Sequence, residues 1–215
     1  MKLVLIGARI DGQAHLVLDL LGESAEHEVV AFLDETPGLS GATVHGIPVV
    51  GTPFDIGRAV AMGAEGGMVS IGSGAARERL AGVVRSAGLA LPTLIHPRAE
   101  VAPSATIGEG CFIGALTLVN SGATIDDLAL LSPTAFVGHH ASVGSAASIA
   151  PGARMGGRSH LGRRSFLGLG ANVLPDRAVG DDVVVGAGSV VVHDIASGTS
   201  AIGVPAAVTR KKHRA

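Results

Sequence analysis

Val101-Ala102-Pro103-Ser104-Ala105-Thr106-Ile107-Gly108-Glu109-Gly110-Cys111-Phe112-Ile113-Gly114 sets a frame in which an aliphatic residue returns every six positions. The frame continues through Val119, Ile125, Leu131, Val137, Val143, Ile149, Met155, Leu161, Leu167, Val173, Val179 and Val185 to Val191, sixteen matches without a break. Two residues before most of them stands a small side chain, among them Ala99, Ala105, Cys111, Ala123, Ala141 and Ser159. Glycine often follows, as at Gly108, Gly138, Gly144, Gly162 and Gly180. A period of six is neither the 3.6 of a helix nor the 2 of a flat strand. It is a signature of parallel β-helix repeats. Three six-residue faces make a triangular coil of eighteen residues, with the aliphatic residue inward and the glycine near the corner. Sixteen faces give about five coils, roughly 25 Å of stacked strand at about 4.8 Å per coil. The segment from Ile195 to Thr209 is expected to leave this prism and cap its end.

Composition agrees with thin, repetitive layers. Of 215 residues, 47% are hydrophobic, yet only five are Phe and none is Trp or Tyr. Glycine, at 32 residues, calls for tight turns or close backbone approach. The net charge of -2 gives no basis for nucleic acid or an anionic membrane as the main partner. The basic run Arg210-Lys211-Lys212-His213-Arg214 reads as a solvated terminus. A single cysteine, Cys111, excludes an internal disulfide and fits a reducing compartment. The apolar run Leu3–Ile6 is too short for a signal sequence or a spanning helix, so a cytoplasmic protein is expected.

Residues 1–92 read as a separate Rossmann-like module, with the β-helix and its cap over 93–215. Leu3–Ile6, Val29–Leu33 and Gly67–Ile71 have the short apolar character of buried parallel strands. A further short strand is expected around Pro48-Val49. Helical patterns lie around Leu16–Leu21, Ile56–Ala61 and Ala75–Ala87. Alternating strand and helix imply a small parallel α/β sheet, whose ligands bind beyond the carboxyl ends of the strands. Gly7 to Gly12, Asp34-Glu35 and Gly72-Ser73 fall there. A glycine turn leading into a helix can present N–H groups to a phosphate, and an acidic residue after the second strand can accept from ribose hydroxyls. The same glycines serve equally as plain tight turns.

With both parts read, the chain resembles the bacterial hexapeptide-repeat sugar acyltransferases, which include sialic acid O-acetyltransferases and nucleotide-sugar N-acetyltransferases. The resemblance spans nearly the whole chain: Val30-Ala31-Phe32-Leu33-Asp34-Glu35, Gly46-Ile47-Pro48-Val49-Val50-Gly51, Leu94-Ile95-His96-Pro97, the repeat, and Ile202-Gly203-Val204-Pro205. It implies that the β-helix is left-handed and that three copies pack as a homotrimer with sites between neighbours. It also implies acetyl-coenzyme A as cosubstrate, no metal, and a sugar or nucleotide-sugar acceptor held by the α/β module. The expected reaction is N-acetylation of a nucleotide-linked amino sugar. O-acetylation of a sialic acid is the alternative, and a trimeric binding protein without chemistry is another.

The family places its base in a stretch resembling NT-x-A-x-x-E-H-[DE]. Here Ser132-Pro133-Thr134-Ala135-Phe136-Val137-Gly138-His139-His140 aligns with it. By resemblance His139 is the general base, a role suited to an imidazole near neutral pH. The flanking acids are absent, replaced by Gly138 and His140, and His140 stands as a second base or an acceptor-binding group. The resemblance places acyl-coenzyme A contacts at Ser148, Leu169 and Ala187. It places acceptor contacts at Asp34, Glu35 and Gly72, while Arg9 and Asp11 occupy a first turn that departs from the family pattern.

Overall fold

Leu3, Val4, Leu5 and Ile6 are fully buried because β1 (Lys2–Ile6) is the middle strand of a parallel sheet. Its neighbours are β2 (Glu28–Leu33) and β5 (Gly66–Val69), in the order β2-β1-β5. Between them α1 (Ala14–Glu23) buries Ala14, Val17, Leu20 and Leu21. The strand expected near Pro48 is half of a hairpin, β3 (Thr43–Val44) with β4 (Ile47–Pro48). Its two turn residues, His45 and Gly46, both have positive φ, the conformation that joins twisted antiparallel strands most directly. Val49 then bridges Phe32 of β2 in parallel. After α2 (Ile56–Ala61), the helix α3 (Gly74–Ser86) starts on an N-cap, where Ser73 Oγ accepts from the Ala76 N–H.

The computed structural model describes residues 1–9, 12–23 and 26–209. The basic run 210–214 lies outside them. The chain divides into two compact units, Met1–Pro97 and Arg98–Ala215.

The second unit is a parallel β-helix built on the six-residue frame. Strands of two residues pair with the strands eighteen positions away, as Leu118–Val119 does with both Glu100–Val101 and Phe136–Val137. One face stacks Glu100–Val101 up to Val190–Val191, the next Thr106–Ile107 up to Ala178–Val179, and the third Phe112–Ile113 up to Val184–Val185. Each aliphatic residue from Ile113 to Val191 lies in a single buried core, together with apolar residues two places before most of them, such as Cys111, Ala123, Ala141 and Ala171.

The helix is longer than the period suggests. Ile195 bridges Val179, and Ser200–Ala201 pairs with Val184–Val185, which adds two faces and gives about six turns. The last aliphatic step is four residues, from Val191 to Ile195, so a strict count of six misses it. Only after this does the chain turn back, with Ala207–Thr209 antiparallel to Ser200–Ile202.

The corners from Gly110 to Gly188 are formed the same way. Three residues after each inward aliphatic residue from Ile107 to Val185, φ is positive, whether the residue is Gly122, Thr134, His140, Arg158 or Asp176. Where glycine follows the aliphatic residue, the coils approach so closely that an added side chain collides with the next coil. At Gly138 an added Cβ lies 2.6 Å from the Gly156 carbonyl carbon, and at Gly162 it collides with the Gly180 carbonyl group. The variant Gly162→Ala is therefore expected to lose about 1–3 kcal/mol of stability, the usual cost of overpacking. Urea denaturation measures it, and Gly152→Ala, whose added Cβ has open space but positive φ, serves as the comparison.

Candidate active site

In the first unit, the ends of β1, β2 and β5 open into a cleft of about 350 Å³. Arg9, Asp34, Glu35 and Gly72 line it, as do Gln13 and Ser70. Asp11 lies outside the described residues. Four of the five residues expected to meet the acceptor are thus brought together, although Asp34 is committed to the backbone. Its Oδ2 accepts from the Ala8 N–H at 2.6 Å and its Oδ1 from the Thr36 N–H at 2.7 Å. Burial alone raises a carboxyl, but the hydrogen bonds from Thr36 and Ala8, with the charge of Arg9, outweigh it and hold Asp34 below the ordinary carboxylate value. Glu35 is half exposed and paired with Arg79 at 3.1 Å.

The sequence reading missed two residues that shape this cleft. Ser70 Oγ lies 3.0 Å from both the Ile6 and Gly7 carbonyl oxygens, fixing the first turn. Arg77, 2% exposed, donates through Nη1 to the Ile71 and Gly72 carbonyls at 2.9 and 2.8 Å, fixing the third. A signal for Arg77 existed. The buried residues of α3 are Arg77, Leu80, Ala81 and Val84, a spacing that puts the arginine on the apolar face of the helix. Gln13 Nε2 is buried without a hydrogen-bond partner and belongs to the cleft lining.

In the second unit, His139 and His140 occupy the corner after Val137. Both are exposed, and their Nδ1 atoms lie 3.2 Å apart with the rings nearly perpendicular. The rings lean opposite ways along the prism. His139 Nε2 lies over Gly157 of the next coil so closely that a Cβ there collides with it. His140 lies over Gly122 of the preceding coil, where an added Cβ falls 2.8 Å from the ring. Below them Arg158 holds Asp176 through two hydrogen bonds of 2.7 and 2.8 Å. That contact, more than the added charges of Arg158, Arg177 and His139, keeps the Asp176 carboxyl below its ordinary value.

Ser148 is buried on the third face, between Leu130 and Phe166. Leu169 and Ala187 are exposed, one coil apart at the corner that follows this face. That corner and the His139 corner are the two edges of the face carrying Phe136 and Arg154. Among the described residues, no three His, Cys, Asp or Glu side chains are grouped to hold a metal ion, and no helix is long and apolar enough to cross a membrane.

A parallel β-helix of six-residue faces and a separate α/β unit with a cleft at its strand ends define a two-part hexapeptide-repeat architecture. Neither protein-family models nor curated proteins give a match. Solved structures do. PerB from Caulobacter crescentus, solved with CoA and GDP-perosamine, is 36% identical over 98% of each chain with a TM-score of 0.91. The acetyltransferase domain of PglB from Neisseria gonorrhoeae FA1090 is 33% identical, over 97% of this chain and 99% of its own, with a TM-score of 0.88. WeeI from Acinetobacter baumannii AYE shares the fold at 23% identity and a TM-score of 0.85, over 97% of this chain and all of its own. The chain belongs to the bacterial hexapeptide-repeat sugar acetyltransferases.

Asp34 gives the cleft a testable dependence. Its lowered value means that it adds stability above the unfolded carboxylate value, near 3.9, and that this is lost as the pH falls through the lower folded value. Asp34→Asn sets an amide NH2 against one of two backbone N–H donors. It is expected to cost about 1–3 kcal/mol, and hydrogen exchange at the Ala8 and Thr36 amides reports it locally.

Proposed function

We propose that the protein transfers an acetyl group from acetyl-coenzyme A to the amine of a nucleotide-linked amino sugar, with His139 as general base. The observation that carries this reading is the 36% identity over 98% of each chain to PerB, whose structure holds CoA and GDP-perosamine. A relation with PglB adds weight, since its acetyltransferase domain is also solved with acetyl coenzyme A.

In this reading the α/β cleft takes the nucleotide. Arg9 and the N–H groups before α3 face its phosphates, and Glu35 and the buried Gln13 amide offer polar contacts. The acceptor amine attacks the thioester carbonyl carbon while His139 takes the amine proton. The tetrahedral intermediate then collapses, the C–S bond breaks, and the imidazolium returns the proton to the departing sulfur. The amide and the free thiol are the products, and no covalent enzyme intermediate is needed.

The placement of residues favours a homotrimer. His139 stands on one edge of the prism, and Leu169 and Ala187 stand on another, one face or about 15–20 Å away. Prisms packed side by side bring the His139 edge of one copy to the Leu169 edge of the next, so that each site draws on two copies. A cytoplasmic location suits the lone buried thiol of Cys111.

Thiol release from acetyl-coenzyme A, measured against GDP-, UDP- and dTDP-linked amino sugars, tests the reading. One of these is expected to turn over, and His139→Asn is expected to lower kcat by about 10²–10⁴ with the oligomer unchanged by light scattering. Turnover confined to hydroxyl acceptors such as sialic acids overturns the amine assignment. An unaffected His139→Asn overturns the base.

A further inference from the structure

His139 as a base has a requirement that its flanking residues do not meet in the usual way. A neutral imidazole carries one N–H. Nε2 can take a proton only when the hydrogen sits on Nδ1, and that hydrogen needs an acceptor. A carboxylate serves this purpose in many hydrolases by receiving the Nδ1–H and orienting the ring. At the His139 corner the group within reach is another imidazole, the His140 ring, with its Nδ1 at 3.2 Å from the His139 Nδ1.

Resting on the proposed base role of His139, we infer that His140 is its positioning residue. It carries its own hydrogen on Nε2 and accepts the His139 Nδ1–H at its bare Nδ1. Four features of the corner support this arrangement. First, an Nδ1···Nδ1 contact leaves room for only one hydrogen between the rings, so one ring must be donor and the other acceptor. Second, only donation by His139 leaves His139 Nε2 free to act; the reverse places a hydrogen on it. Third, the same bond survives the reaction: the imidazolium formed when His139 takes the acceptor's proton still donates from Nδ1 into the His140 lone pair, now more strongly because the donor is charged. Fourth, the corner provides a seat for each ring, since Gly157 leaves the space under His139 and Gly122 the space under His140.

The backbone explains how two successive residues come to face each other. Neighbours along a strand point to opposite sides. His140 instead has a φ of 55°, and this turn swings its ring back to His139. The charged groups facing the pair, Arg158 and Asp176, are bound to one another through two hydrogen bonds. The acceptor for the His139 hydrogen is thus an uncharged group.

Three variants and a spectrum decide the matter. His140→Gly suits the turn, because glycine occupies equivalent corners at Gly122 and Gly170. It is expected to lower kcat about 10- to 100-fold with KM little changed. In His140→Asn and His140→Asp the side-chain Oδ1 stands near the lost Nδ1, and both residue types tolerate this backbone. They are expected to keep kcat within about threefold of the parent or above it. Long-range ¹H–¹⁵N spectra of the imidazoles, assigned with His139→Asn and His140→Asn, are expected to show His139 protonated on Nδ1 and His140 on Nε2. A parental kcat in His140→Gly, an asparagine variant as slow as the glycine one, or the reversed pair of tautomers overturns the inference. The spectrum needs no turnover. A protein inactive toward every acceptor fails the proposed function, while the tautomers still report on the pair.

Discussion

Close stacking of one coil on the next is the constraint from which the rest of the second unit follows. Backbone N–H groups of each coil donate to carbonyls of the coil eighteen residues on, as from Gly138 to Met155 and from Gly144 to Leu161. This leaves about 4.8 Å between coils. At that spacing no Cβ fits at Gly138, Gly156, Gly162 or Gly168, and only aliphatic and small side chains fill the interior. The same spacing converts distance along the chain into columns on the surface. Arg158 meets Asp176 and Arg164 meets Asp182, each pair eighteen residues apart. His139 comes to lie over Gly157 by the same rule. Fold and site therefore share one cause.

The fold was legible to the extent that this constraint is strict. From Val101 to Val191 each face has the same length, so the inward residue and the corner can be counted. The count stopped short where a corner lost two residues, between Val191 and Ile195, although the stacking goes on there with Ile195 against Val179. The α/β sheet was legible for another reason, the short apolar runs of β1 and β2, buried over Leu3–Ile6 and Ala31–Leu33. Of its hairpin only the strand near Pro48 was read, and its partner was not, because β3 and β4 have two residues each and show no period.

The site was legible where a motif or a strand end marked it, and hidden where contacts are made through the third dimension. Arg9, Asp34, Glu35 and Gly72 follow strands and so fall into the cleft. Asp34 lines the cleft, and its two oxygens also hold the Ala8 and Thr36 amides, tying the turn after β1 to the end of β2. Arg77 lies in the helical pattern read over Ala75–Ala87, where it was not set apart from the other arginines. It is buried, and it ties the turn after β5 to α3. The cleft thus owes its shape to charged side chains spent on backbone atoms. This is reasonable for turns rich in glycine, whose own conformations are not self-limiting.

The histidine pair was hidden by the alternation rule itself. Residues 139 and 140 would diverge in a strand, and only the turn at His140 brings their rings together. The consequence concerns charge. A carboxylate acceptor fixes the tautomer of a neighbouring base and also stabilises the imidazolium formed during proton transfer. An imidazole acceptor does the first with little of the second. The carboxylate of Asp176, the acid whose charge reaches His139, is already bound by Arg158 through two hydrogen bonds, so its field is largely that of a dipole. On the proposed pairing, orientation falls to His140 and charge stabilisation to other groups, two tasks that one carboxylate combines elsewhere.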